Sequence, residues 1–225
     1  MPRYAAALDT SGTAALAIAA DGIVLRHAML ATLGRGNDQE LVPWIIEEMR
    51  QAGTAPAEIA AWTCGTGPGS FSGVRVGIAW VKGVCAVSGA IYRGVPSSLA
   101  IALAAHRRTQ AAEIGVLHDG RRKQAILTRV TFHQGVPSLQ APEILDLDRL
   151  AMADAGVLTT TQAELIPQLP AEITDRVVLL SGIPAEELLL APGAFPMTQA
   201  AQEASCEPIY VRPPVFVEPV KASGQ

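Results

Sequence analysis

The stretch Gly65-Thr66-Gly67-Pro68-Gly69-Ser70-Phe71-Ser72-Gly73-Val74-Arg75-Val76-Gly77 follows a short apolar run at residues 59–64 and leads into an apolar helical pattern at residues 74–87. It reads as strand, glycine loop, helix. Glycines there let the backbone adopt positive φ and approach something bulky, either a phosphate or another stretch of polypeptide. The phosphate reading has support: free N–H groups at a helix start attract anions, and Ser70 or Ser72 can cap the helix. The standard signatures, however, are not met. No Gly-Lys-Ser/Thr follows at Walker spacing. Gly65-x-Gly67 and Gly67-x-Gly69 lack the third glycine of the dinucleotide fingerprint. That fingerprint also wants a carboxylate downstream for the ribose, and residues 59–112 contain no Asp or Glu.

A packing reading fits better. Gly73 and Gly77 share one helix face. That face continues through Trp80, Val81 and Val84, with Ala79 and Gly83 at its margin. A glycine pair beside a large aromatic makes a notch and a knob, a shape that lets helices approach closely. Glycine costs roughly 1 kcal/mol against alanine inside a helix, so several together imply a geometric requirement. Two occupants of the notch remain open: the chain's own sheet, or a helix of another protein. Arg75 and Lys82 fall off this face, where solvation explains them.

Composition narrows the function classes. The 225 residues are 49% hydrophobic and only 4% aromatic, which describes a globular interior rich in small aliphatic side chains. A formal net charge of −4 argues against a protein that grips nucleic acid by itself. Within the acid-free middle, Arg75, Lys82, Arg93, Arg107 and Arg108 give a local positive bias. Cys64, Cys85 and Cys206 are odd in number and widely spaced, without CxxC or zinc spacing, which suits a reducing cytoplasm. The apolar N-terminus contains Asp9 and is followed by turn residues, so it reads as a first strand rather than a signal peptide. No apolar run approaches the roughly 18 residues of a membrane helix.

The order of elements gives an α/β fold. Residues 4–8 read as a buried strand ending at Asp9-Thr10-Ser11-Gly12, and residues 14–20 as a second strand. Asp21-Gly22 is a strong hairpin signal, with a third strand at 23–30. After a Gly/Asn loop, residues 38–52 form a helix with Leu41, Trp44, Ile45, Ile46 and Met49 on its apolar side, Pro43 in or near the first turn, and Gly53 closing it. The glycine-loop unit follows, then a strand at 91–95 and a helix capped by Ser97 or Ser98. This β-β-β-α-β-α-β-α order makes one lobe with a mixed sheet, residues 1–108. A smaller second lobe, residues 109–225, begins near Ile114. Its strand ending at His118-Asp119, its turn and its next strand (124–132) echo the N-terminus, and Asp9 to Ala15 spans the same distance as Asp119 to Ala125. A helix at 147–155, a strand at 177–180 and a proline-rich tail (Pro208, Pro213, Pro214, Pro219) complete it.

Two lobes that each open with strand, Asp, turn and strand are similar to the actin-like ATPases and sugar kinases, where the strand-end Asp handles a metal and the turn handles phosphate. Asp9 and Asp119 are the candidates; turn capping is the competing role for each. After the strand at 177–180, Ser181-Gly182 is followed by Ile183, where a second small residue would admit a purine, so a nucleotide site looks degraded. His27, His106, His118 and His133 make no HxxxH or HExxH pair, and His118 reads as a hydrogen-bonded structural histidine. Ser70-Phe71-Ser72 between glycines places Phe71 where a nucleophile elbow needs serine. No metal site and no catalytic group emerges from the residues, and no cofactor is expected.

Leu8-Asp9-Thr10-Ser11, the Asp21-Gly22 hairpin and above all Gly67 through Gly77 resemble the TsaB (YeaZ) family, bacterial partner subunits in threonylcarbamoyladenosine modification of tRNA. Lys82-Gly83, Val95-Pro96-Ser97-Ser98-Leu99, Asp119-Gly120-Arg121-Arg122 and Pro208-Ile209-Tyr210-Val211-Arg212 fall in the same order. Departures are Ser72 where Thr is usual, Gly120 where Ala is usual, and Asn37-Asp38 in place of a histidine ahead of the first helix. The resemblance implies a two-lobed fold of the actin and sugar-kinase (ribonuclease H-like) type with a reduced second lobe. It implies a cytoplasmic, non-catalytic scaffold or activator that pairs with a metal-bearing TsaD-like subunit and a TsaE-like ATPase, and meets tRNA only through that complex. The docking surface expected on this basis comprises Leu41, Trp44, Ile45, Gly73, Val76, Gly77, Trp80 and Val81, and a homodimer through the same surface is the alternative pairing. Gly67, Gly69, Ser70 and Ser72 are the candidate remnant of an anion site. A free-standing ATP-dependent phosphotransferase using Asp9 and Asp119, or a peptidase, is the competing function.

Overall fold

A computed structural model describes residues 3–30, 38–152 and 156–212. Asn37, the end of the helix expected at 147–155 and Pro213, Pro214 and Pro219 lie outside the described residues. The strands are β1 (Tyr4–Asp9), β2 (Ala15–Ala20), β3 (Ile23–Met29), β4 (Ile59–Gly65), β5 (Ile91–Val95), β6 (Glu113–Arg121), β7 (Gln124–His133), β8 (Val136–Leu139), β9 (Glu143–Asp146), β10 (Val157–Thr160) and β11 (Val177–Leu179). The helices are α1 (Asp38–Gln51), α2 (Phe71–Ser88), α3 (Ser97–Thr109), α4 (Ala171–Thr174), α5 (Ala185–Leu190) and α6 (Gln199–Ser205), with 3-10 turns at Leu147–Met152 and Ala163–Gln168. The first sheet runs β3-β2-β1-β4-β5 and the second β11-β10-β6-β7-β8, with β9 also on β7. Each opens as an antiparallel pair and continues in parallel, the mixed α/β architecture of the actin and sugar-kinase fold.

Strand alternation sorts the layers. Ala6, Leu8, Leu16, Ile18, Trp62 and Cys64 face one way and pack against Leu41, Ile45 and Met49 of α1 and Val74, Ile78, Val81 and Cys85 of α2. Ala7, Ala15 and Ala17 face the other way, toward α3 and α5. Their methyl groups let these helices lie close to the sheet. α3 lies between the sheets, touching β6 and β10, while α5 rests on β1 and β2 and α6 on β5. The chain thus returns to the first sheet after completing the second. Beyond the second sheet, Leu117, Leu127, Leu150, Leu158, Leu165 and Ile173 form a third cluster.

The repeat read from spacing is a register fact: Asp9 pairs with Ala15 and Asp119 with Ala125. Asp21 and Gly22 both have positive φ, as a tight hairpin requires. Two expectations need correction. The stretch expected to begin a helix at 147 is a 3-10 turn, Leu147–Met152, whereas Pro43 lies near the first turn of α1 as expected, and the carbonyl it cannot pair belongs to exposed Gln39. α3 has Pro96 at its N-cap with no side-chain cap, because Ser97 and Ser98 are fully buried and bond inward. β8, β9, β10, α4, α5 and α6 give no periodic signal in the sequence: each is four to seven residues long, too short for periodicity to register.

Candidate functional site

The glycine run is a seam between two loops. Asp9 ends β1 beside Gly65 at the end of β4, and a Cβ on Gly65 would stand 1.9 Å from Asp9 Oδ2. Ser11 N–H donates to Asp9 Oδ1 at 2.7 Å. Asp9 is fully buried, and burial pushes its carboxyl pKa up, only partly countered by the Ser11 N–H and the nearby Ser11 and Ser97 hydroxyls. Gly67 takes φ +90°, donates to Ser97 Oγ at 3.0 Å and accepts from Ser97 N–H at 2.8 Å. Ser70, not Ser72, caps α2, accepting from Gly73 N–H, while its own N–H donates to Ser11 O. Thr10 Oγ1 donates to Gly73 O at 2.7 Å.

The notch therefore has an occupant. A Cβ at Gly73 would lie 2.1 Å from Thr10 O, and one at Gly77 2.2 Å from Thr10 Oγ1. Both glycines face the chain's own 10–12 turn. Leu41, Ile45 and Val81 are likewise core residues, at most 1% exposed, while Trp44, Val76 and Trp80 are half-buried against the same cluster. What faces outward is the next stripe over. On α1 it is Val42 and Ile46; on α2 it is Ala79, Gly83 and Val87, the last 91% exposed. Trp80 stands edge-on to Trp62, their centroids 5.0 Å apart. Together with Pro56, Ala57 and Val84, these α2 residues line an apolar groove of about 430 Å³, and a Cβ on Gly83 would meet nothing. The signal was in the sequence: α1 carries 42/46 beside 41/45/49, and α2 carries 76/80/84 beside 74/78/81/85, more apolar surface than one face can bury. α2 is 18 residues long with mean hydropathy 1.2, which satisfies the length and composition of a membrane span contrary to expectation; its inner face, however, is sealed onto the first sheet.

Between the two sheets lies a cleft of about 920 Å³, walled by Thr10–Gly12, the start of α2, His118–Arg121, Gln162, Ile183 and residues 208–212. Asp119 lies on its wall, and Asp9 beneath its floor. Asp119 Oδ1 accepts from Arg121 N–H at 2.8 Å, the counterpart of Asp9 with Ser11, and Oδ2 pairs with Arg121 at 3.3 Å. Both aspartates cap their turns. Ile183 is buried against Gly12. His118 Nε2 lies 2.9 Å from Ser98 Oγ, and burial lowers its pKa to about 4, so the ring is neutral and structural at neutral pH. Among the described residues no three His, Cys, Asp or Glu side chains gather in a metal-binding cluster.

Comparison with known proteins adds family evidence to this geometry. The family model described as "TsaD: tRNA N6-adenosine threonylcarbamoyltransferase" matches residues 33–153. The tRNA threonylcarbamoyladenosine biosynthesis protein TsaB of Escherichia coli (strain K12) is 26% identical over 219 residues, 92% of this chain and 93% of that protein. YeaZ from Pseudomonas aeruginosa superposes with a TM-score of 0.70 at 24% identity, covering 92% of this chain and 99% of that one. A solved protein described as similar to peptidase YEAZ from Pseudomonas aeruginosa gives 0.69 at 25% identity, covering 93% and 100%.

Proposed function

This chain belongs to the TsaD family of tRNA N6-adenosine threonylcarbamoyltransferases, and from that membership we infer that it is the TsaB-type accessory subunit of a tRNA-modifying assembly. It takes part in tRNA threonylcarbamoyladenosine biosynthesis, as its likeness to TsaB over 92% of its length supports. Its role is to dock a TsaD-type catalytic subunit and hold it in its working state. A TsaE-type ATPase joins the assembly, which works in the cytoplasm. The same face pairs two copies of the chain when the catalytic subunit is missing.

The observation that carries this reading is the outward apolar stripe of α2. A groove lined by Trp80, Val84, Val87, Pro56 and Ala57, with open space over Gly83, is shaped to receive another helix. The surface first expected, centred on Gly73, Gly77, Leu41, Ile45 and Val81, shifts outward accordingly, keeping Trp44, Val76 and Trp80 at its edge. A phosphotransferase reading requires Asp9 as a charged metal ligand, whereas burial favours its neutral form and places it under the loop.

Gly83→Arg is the test, because its side chain enters open space and the fold is untouched. Affinity for the TsaD-type subunit, measured by isothermal titration, is expected to fall at least tenfold, with stimulation of tRNA modification lost in parallel. Undiminished affinity would remove α2 from the interface. ATP hydrolysis or peptide cleavage by the purified chain, abolished by Asp9→Asn, would establish the competing enzyme reading.

A further inference from the structure

We propose that the mouth of the cleft between the two sheets contacts RNA directly, through a basic rim and an exposed pair of aromatic rings. The proposal rests on the tRNA-modification reading and specifies which surface of this chain meets the nucleic acid.

The rim is cationic on a chain whose net charge is −4. Arg121 and Arg212 line the cleft, Arg212 bonded to Gln124, while Arg75 stands beside it on α2 and the exposed Arg122 and Lys123 continue from Arg121 around the β6–β7 turn. Asp119 answers Arg121, and Asp146 is engaged by Gln124. The turn is expensive as built. Arg122 and Lys123 have φ of 53° and 59°, the left-handed values a two-residue hairpin demands at both central positions. Asn-Gly meets that demand with least strain; two long cations are kept there instead. Across the cleft mouth, Phe71 and Tyr210 are 48% and 44% exposed with ring centroids 5.2 Å apart. The Arg75 guanidinium lies 3.8 Å over Phe71, and its Nε donates to Tyr210 Oη at 2.6 Å. Rings held this way offer a ready stacking surface for an unpaired base. An acidic protein would match the charge but leave the rings without purpose.

The experiment titrates a fluorescent anticodon stem-loop RNA with the full-length chain, alone and paired with the TsaD-type subunit, between about 50 and 200 mM salt. The double variant Arg122→Asn, Lys123→Gly is expected to melt roughly 2–4 °C higher as the turn relaxes. It should nonetheless bind RNA about tenfold more weakly, with a salt slope shallower by about 2. Tyr210→Ala is expected to weaken binding about tenfold with the slope unchanged, and Arg108→Glu on α3 to change neither. Unaltered affinity and slope in the double and Tyr210 variants overturn the RNA contact while leaving partner docking intact. Failure of the wild-type chain to pair with or stimulate the catalytic subunit sinks the underlying reading instead. Displacement of the RNA by equimolar ATP or by a poly-glutamate peptide reassigns the cleft to a mononucleotide or an acidic protein, and equally overturns the proposal.

Discussion

Gly65 lacks a side chain because the Asp9 carboxyl occupies the space a Cβ would take, 1.9 Å away. Gly65→Ala is therefore expected to cost about 2–4 kcal/mol in chemical denaturation, through displaced backbone and an exposed or strained carboxyl. In an Asp9→Ala background the cost should shrink by more than half; an additive result would show that the two do not share the space. The same carboxyl sets a pH signature. Its pKa is raised in the fold, so between the ordinary carboxyl value and the raised one the native state holds more protons than the unfolded state. The contribution of Asp9 to stability thus declines as pH rises through that window and is lowest above it. Asp9→Asn, which mimics the neutral acid and keeps the acceptor for Ser11 N–H, is expected to raise the melting temperature at pH 8 and to flatten its dependence on pH. A lower melting temperature at pH 8 would show that the charged form is the one the fold prefers. Sequence alone exposed Asp9 as a strand-end aspartate and the glycines as close-approach sites. It could not show that Gly73 and Gly77 serve Thr10, since that contact joins residues 63 or more positions apart.

At the scale of elements, α2 carries two apolar stripes, to which the proposed interface gives separate duties. Val81 is fully buried, and Val87 is 91% exposed. Val81→Ala is expected to cost about 2–3 kcal/mol of folding stability with partner affinity following only as the fold weakens. Val87→Glu should leave the melting temperature within about 2 °C, since exposed changes are near neutral, yet weaken pairing with the catalytic subunit at least fivefold. The reverse pattern would place the interface on the stripe that packs against the sheet. The existence of α1, α2 and the strands around them was legible because each has a long, regular pattern. The phase of α1 was legible in part, since Leu41, Ile45 and Met49 of its apolar side are the buried residues; that of α2 was not. On a helix whose apolar residues cover more than one face, periodicity cannot say which stripe faces inward; only the sheet it lies on decides. Likewise Ser97 and Ser98 look like caps from their position, and the structure instead bonds them to Gly67 and His118.

Across the whole molecule, the two-lobed order and the Asp9/Asp119 repeat were readable, because register and spacing are linear properties of the chain. The return of α5 and α6 to the first sheet was not, since six or seven residues carry no address for the surface they cover. Arg93 fastens that return: its guanidinium bonds the carbonyls of Leu188, Ala191 and Gly193 from a buried position on β5. During synthesis this has a cost in time. Residues 4–95 leave the ribosome with every strand of their sheet present, while the alanine face awaiting α5 stays bare until residue 190 has cleared. At roughly 5–20 residues per second that delay lasts on the order of 5–20 s. For that interval the nascent chain leaves bare the methyl groups that α5 will cover, an opening for chaperones and proteases that closes only once residue 190 has been added.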